Sequence, residues 1–576
     1  MTSKSSTGFG AYGLTPRRGN NTCDKISFMS GDADNKRAVK EVEETVLDQE
    51  YRRFSLIYRN DGVAIPGLLT TFGDLVRQMI HDPNLGTDTQ KQNLMDGKAA
   101  AVGHCFKWIA QEPEHTLLLA DNRPRVITQE AVDLLEWGAT YHELYLDHVA
   151  HWKGEKVAEV DRESRTIRIR FRNRFDPFFF LAQQADEIAF TTSYFSAMPL
   201  EELKAEFRSW AARRSGALQR RADGLPSVRP SDAAHEAATR WATETIWPEL
   251  GPETSLDGFS LGDFRRVFAG LVVNCSFIAW LEDVEDSAKG AVHTRPSRLV
   301  EFPHERMVEW LAEVGGVPTA SAREILGELT LDTSRSLPSI AYQAFVRSKA
   351  GRVYLLPRSI VYSDAARTLS QSLNTGGRRK VFEGLGEWIA DAQLKLIADA
   401  FAGLGLDVVS DKLLRYGGKK IRPDLIVYDR ARNYLLVADY KSMINPIGPR
   451  QSISNMKNIW GHIARVREYV RMVMSDLSVL RARIPALSEV PTVSGLLLFR
   501  DPTPLPLEPD PLVTMANWFS LGTFLSGGYK DLPGLIVWAT DRPDLAIQSG
   551  SYGLEEFRVP VGDWTYISEK IVREVV

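Results

Sequence analysis

At 576 residues the chain is too long for one comfortable core, and its length points to about two to four domains. With 44% hydrophobic, 25% charged and 10% aromatic residues, wholesale disorder is excluded. The net charge of −4 names no partner, but residues 371–480 carry 17 Lys and Arg against 11 Asp and Glu, a local +6 that leaves −10 for the rest. A basic segment in an acidic protein is an electrostatic signal for a polyanion.

The first residues, MTSKSSTGFGAYGLTPRRGNN, are rich in Gly, Ser and Thr and lack the apolar stretch of a signal peptide, which predicts a disordered tail over 1–34. Cys23, Cys105 and Cys275 have no paired spacing and are too few for a disulfide framework or a cysteine zinc site. Both features point to a reducing cytoplasm.

From about Asn35 the pattern turns helical, beginning with RAVKEVEETVLDQEYRRFSLIY and continuing through Trp152. In RTIRIRFRNRF the period changes to two: Ile167, Ile169 and Phe171 alternate with Arg168, Arg170 and Arg172. With EKVAEV and the turn VDRES before it, this predicts a β-hairpin near 155–180 with one apolar face and one basic face, read as solvent-exposed ahead of nucleic-acid contact. A charged helix over Leu200 to Asp223 follows, its Arg213, Arg214, Arg220 and Arg221 making a patch of the kind that is usually solvated. The linker GLPSVRPSD closes a mainly helical domain over 35–225.

A second helical region is expected over 226–375, with a short extended stretch at GRVYLLPRSIVY. Its longest apolar run, Val267 to Leu281, is shorter than a bilayer span and is interrupted by Asn274, Cys275 and Ser276, which predicts a buried helix and no membrane association. HELYLDH, His142 to His148, is not a zinc helix, because the two histidines stand six apart where one helical face requires four. His148 and His151 are three apart, but ordinary core or surface histidines are the expected reading. The chain has no GxxxxGK[ST], no GxGxxG after a strand and no GxSxG, so nucleotide-hydrolysing and serine-hydrolase functions lose their usual support.

The last region, 376–576, carries the chemistry. A long helix is predicted from about Arg378 to Ala402, then strands at LDVVSDKLLRYG, IRPDLIVYD and ARNYLLVADYKS, with GGKK as a turn between the first two. After the break NPIGP comes a helix from Arg450 to Ser475, and VSGLLLFRD and LPGLIVWATD read as later strands around a helical MANWFSLGTFL. Asp439 and Lys441 lie two apart on one strand and share a face, and Asp424 opens the neighbouring strand roughly 5 Å away. Two carboxylates that close repel unless a cation lies between them, and hard oxygen donors suit Mg²⁺ or Mn²⁺. A lysine beside such a metal can orient the attacking hydroxide or offset charge in a phosphoryl transition state. Glu383, Glu387 and Asp391 repeat every four residues on the preceding helix, and Glu387 is preferred as a further ligand.

Pro423-Asp424 followed after fourteen intervening residues by Asp439-Tyr440-Lys441, with an acidic helix before and a basic helix after, resembles the PD-(D/E)xK nuclease superfamily with its restriction-endonuclease-like fold. The resemblance covers roughly Arg378 to Asp541. It implies that Asp424 and Asp439 are metal ligands, that Lys441 is the catalytic lysine and that Glu387 or Glu383 is an auxiliary ligand. It also implies a central mixed sheet flanked by helices. Some members with a DYK triplet carry a glutamine at the start of the next helix, and Gln451 stands at about that place, separated from Lys441 by SMINPIGPR.

The expected fold is therefore multidomain α+β, a large mainly helical N-terminal region with a hairpin followed by a C-terminal α/β nuclease-like domain. Lys420, Arg422, Arg450, Gln451 and Lys457 are candidates for nucleic-acid contact, and Trp460 and His462 lie where a substrate could be stacked or hydrogen-bonded. DNA is favoured, because the resembled superfamily acts mostly on DNA. The architecture suits bacterial restriction or anti-phage defence, acting as a homo-oligomer or with a partner subunit. The competing expectation is a non-catalytic nucleic-acid-binding or scaffold protein that keeps the fold alone.

Overall fold

The computed structural model describes residues 33–573 except 83–87, 114–122, 154, 172–184, 188, 191–192, 195, 214–229, 289–295, 335–338, 362, 376–377, 411–412, 417, 443–448, 488–489, 503–509 and 543–551. Among the described residues the chain is mixed α+β with several sheets and no barrel. The expected tail and the patch residues Arg214, Arg220 and Arg221 lie outside the described residues.

Helices α1 (Ala33–Thr45), α2 (Asp61–His81), α3 (Asp88–Gln111) and α4 (Pro124–Lys153) enclose the first core. The predicted hairpin follows as β1 (Lys156–Asp161) and β2 (Thr166–Phe171), with Ile167 and Ile169 fully buried beneath it. On its other face Arg168 pairs with Glu556 at 3.2 Å and Arg170 with Glu159 at 2.6 Å, all about half exposed. The basic face is thus a solvated, ion-paired surface. His148 is buried 3.4 Å from Glu43, and the His151 Nδ1 accepts from the Ala158 amide, so these histidines belong to the core of this unit.

The second core gathers α5 (Leu200–Ala212), α6 (Asp232–Thr245), α7 (Leu261–Ala288), α8 (His304–Gly315), α9 (Thr319–Leu329) and α10 (Ala365–Thr375). A small sheet of β3 (Val300–Pro303), β4 (Phe345–Arg347) and β5 (Arg352–Leu355) is shared between the first two cores. The apolar helix α7 is the one described helix long and apolar enough to cross a membrane, and 78% of its apolar window is buried inside the protein.

The third unit opens with α11 (Arg379–Gly403), then β6 (Asp407–Ser410), β7 (Leu414–Tyr416), β8 (Lys419–Ile421), β9 (Leu425–Asp429) and β10 (Tyr434–Lys441). It continues with α12 (Pro449–Ser475), β11 (Thr492–Phe499), β12 (Val513–Asn517), α13 (Trp518–Gly527) and α14 (Leu532–Asp541). Its five-stranded sheet runs β12-β11-β10-β9-β6, antiparallel at β6–β9 and β9–β10 and parallel at β10–β11 and β11–β12. Alternation sorts the side chains. Leu435, Val437, Leu497 and Phe499 meet Ile459, Ile463, Val466, Val470 and Val473, a three-and-four spaced stripe on α12. Leu436, Ala438, Leu496 and Leu498 meet Ile397 and Phe401 of α11 together with α13 and α14.

Three expectations are corrected. LPGLIVWATD is a helix, because Asp531 accepts from the Gly534 amide at 2.7 Å and Pro533 suits a helix's first turn; a short buried apolar run does not declare its period. Met515 to Asn517 close strand β12, and the Asn517 side chain then caps α13 through the Ser520 amide. Lys419 and Lys420 are in a strand of the β7–β8 hairpin, where a plain turn was expected.

The chain's end also departs from the expected division at 376. Strands β13 (Tyr552–Val561) and β14 (Trp564–Arg573) leave the third unit, and β14 lies parallel to β2 in a sheet ordered β1-β2-β14-β13. Buried Lys156 ties this junction, its Nζ 2.7 Å from Asp147 and 2.6 Å from the Glu569 carbonyl, while Ser568 donates to Asp147. Tyr566 is fully buried in the first core. Replacing it in Tyr566→Ala should cost about 3–5 kcal/mol, as other large aromatic truncations in cores do. Denaturant unfolding measures this, and a loss below about 1 kcal/mol would mean the hairpin is only loosely attached.

Candidate active site

Register explains why the acidic residues meet. Leu425 of β9 pairs with Ala438 of β10, so one step beyond, Asp424 faces Asp439. Asp439 and Lys441 point to the α12 side of the sheet, and Tyr440 points to the α11 side. The Asp424 Oδ2 accepts from the Tyr440 amide at 2.8 Å and from the Lys441 Nζ at 3.3 Å. The same Nζ lies 2.9 Å from the Asp439 Oδ1 and donates to the Tyr440 carbonyl at 2.8 Å. The expected three residues are together, on the ends of rigid strands.

Their charges do not cancel. One ammonium faces two carboxylates, Asp439 is only 2% exposed, and its Oδ2 is buried with no hydrogen-bond partner among the described residues. Burial first, then the neighbouring Asp424, raises the Asp439 carboxyl to about pH 7 against the pull of Lys441. Near neutrality the site is therefore short of one positive charge, which a proton or a metal ion can supply. Two carboxylates, one with a bare buried oxygen, suit Mg²⁺ or Mn²⁺ in number and hardness, with waters and phosphate oxygens filling the remaining positions.

Glu387 does not join them. It is exposed on α11, as are Glu383 and Asp391, and among the described residues no group of three or more Asp, Glu, His or Cys side chains gathers in a way that could hold a metal. The physical reason lies in how α11 is used. Its first half packs Leu385 and Ile389 into the second core, and Leu394 and Ile397 are the residues beside Asp424, lining a small apolar hollow with Leu425 and Tyr440. Glu387 precedes Leu394 by two turns, about 10 Å along the axis.

Lys420, Arg422 and Lys457, the candidates for phosphate contact, are exposed. Lys419 is paired with Glu468 at 3.2 Å. Arg450 and Gln451 open α12, but their side chains lie outside the described residues. Trp460 packs against the α12-side core. His462 is half-buried beside the site; burial, then Lys441 and Arg465, lowers it to about pH 4, so the ring is neutral at physiological pH, and its buried Nδ1 has no partner among the described residues.

Three residues at the site's back were not singled out from sequence: Glu249, Gln393 and Arg500. Arg500 follows β11 directly, its amide donating to the Lys441 carbonyl at 3.1 Å, and its guanidinium reaches Glu249 at 3.3 Å. The signal for it was present, since FRD puts charge at the end of an apolar strand just as ADYK does. Gln393 interrupts the four-residue apolar repeat Leu385, Ile389, Ile397, Phe401. Glu249, in the segment IWPEL, has no such signal.

Comparisons with protein-family models, with curated proteins and with solved structures return no match to this chain.

The raised Asp439 carboxyl sets a sign. Between the ordinary aspartate range and about pH 7 the folded site holds a proton that the unfolded chain has released, so this group's contribution to stability falls as pH rises through that window. In metal-free buffer, wild type should lose stability relative to Asp439→Asn between pH 4.5 and about pH 7.5. Urea unfolding of both proteins across that range tests this, and parallel curves would contradict it.

Proposed function

We propose that this chain is a divalent-metal-dependent nuclease that hydrolyses phosphodiester bonds of nucleic acid, with DNA as the favoured substrate. The observation that carries the reading is the buried Asp439 Oδ2, without a hydrogen-bond partner among the described residues, beside Asp424, with Lys441 in contact with both carboxylates. Asp424 and Asp439 would hold Mg²⁺ or Mn²⁺, which when bound supplies an acidified water and neutralises phosphate charge. The resemblance of the PD…DYK residues to the PD-(D/E)xK superfamily supports the same roles, with Glu387 left out.

The chain's own residues supply the rest. Lys441 is held by the Tyr440 carbonyl and the two carboxylates, which places its ammonium where it would orient an attacking water or offset charge on a phosphate oxygen. Neutral His462 stands close enough to Lys441 to be a second polar contact for substrate. Exposed Lys420, Arg422 and Lys457 would neutralise backbone phosphates without reading sequence. A large helical region before the catalytic unit fits target recognition in restriction or anti-phage defence.

One observation favours the other reading, a binding or scaffold protein. The ammonium of Lys441 already bridges both carboxylates, as it would in a purely structural strand-end ion pair. Cleavage separates the two. Wild type should cut supercoiled, linear or single-stranded DNA in Mg²⁺ or Mn²⁺ and not in EDTA. Asp424→Ala should abolish cutting, and Lys441→Ala should lower it by about 10²–10³-fold. DNA binding that persists with no metal-dependent cutting under any of these conditions would favour the binding protein.

A further inference from the structure

The back of the site is built partly by the helical region. Glu249 stands in the turn after α6, and its Oε1 accepts from the Arg500 Nη2 at 3.3 Å and from the Gln393 Nε2. Those two donors lead to the two walls of the site. Arg500 grips the Lys441 carbonyl through its own amide, and Gln393 is next to Leu394, which lines one apolar hollow with Asp424. Arg500 also has Asp501 at 3.8 Å. Glu249 is 6% exposed at its side chain and Arg500 19%, so water does little to screen the pair.

The turn that presents Glu249 is itself held in a costly shape. Trp247 sits at φ +50°, a region bulky side chains rarely adopt. Arg265 of α7, 2% exposed, stabilises it by donating to the Ile246 carbonyl at 3.0 and 2.8 Å, the Trp247 carbonyl at 2.7 Å and the Leu250 carbonyl at 3.1 Å. A buried arginine spent on three carbonyls of one turn fixes where Glu249 points.

We propose that Glu249 is a positioning residue for the nuclease site. Its carboxylate fastens the end of β11 and the middle of α11 to the helical region, so that Lys441 and Asp424 keep their mutual geometry only while that region is docked. The catalytic part of this inference rests on the nuclease reading; the positioning part does not.

The test uses the full chain with Glu249→Gln, Glu249→Asp and, as a control, Glu244→Gln at an exposed position of α6. Hydrogen exchange should speed up about tenfold or more in Glu249→Gln across Asp439–Ser442 and at Arg500, with α12 unchanged, since freeing one side of a buried contact opens its neighbourhood first. Under cleavage conditions kcat should fall about tenfold with KM steady, Glu249→Asp should recover part of it, and Glu244→Gln should match wild type in both assays. Unchanged exchange at those segments, or a rise spread evenly through the chain, would overturn the proposal. So would altered local exchange with kcat and KM intact. If wild type cuts nothing, the nuclease reading fails, while the exchange result still decides whether Glu249 holds the strand ends.

Discussion

The arrangement turns on one electrostatic imbalance, a buried and a half-buried carboxylate sharing a single lysine at the point where β9 and β10 stop pairing. Such a pair is expensive to keep away from water unless something compensates it. The sheet makes the cost bearable by geometry: the Tyr440 amide and the Lys441 ammonium satisfy Asp424, and Lys441 satisfies one oxygen of Asp439. What stays bare is the Asp439 Oδ2. The proposed function follows from that remaining oxygen and the charge it implies.

The rest of the unit works as a clamp on those strand ends. The α12 stripe and the α11, α13 and α14 faces bury the two sides of the sheet, so β9 and β10 have little freedom to separate. The helical region adds a third hold through Glu249 and Arg500. The terminal hairpin is committed elsewhere, in the sheet of the first unit. The chain thus closes on itself, with its first and last described strands in one sheet and the candidate site on another.

Much of the site could be read from the chain because its signals are local. The two-residue period puts Asp439 with Lys441, the apolar runs mark β9 and β10, and the spacing of Ile459, Ile463, Val466 and Val470 marks α12. Other features have no local signature. Nothing in Trp564–Arg573 announces a partner in Thr166–Phe171, and Glu249 meets Arg500 across 251 residues of sequence. Leu532–Asp541 has a short apolar run that fits a strand or a helix equally, and only the Asp531 cap and Pro533 decide it. The position of Glu387 shows the same limit: helical periodicity gives the face a residue occupies, and the helix's axial position against the sheet is set by packing far from it.

The most direct test of the central claim is a calorimetric titration of Mn²⁺ into wild type and Asp439→Asn near pH 7, in two buffers of different ionisation enthalpy. The account predicts one site in wild type, lost in the variant, with proton release on binding because the metal displaces the proton shared near Asp439. No binding to wild type, or equal binding to both proteins, would contradict it and leave Asp424, Asp439 and Lys441 as a structural ion pair.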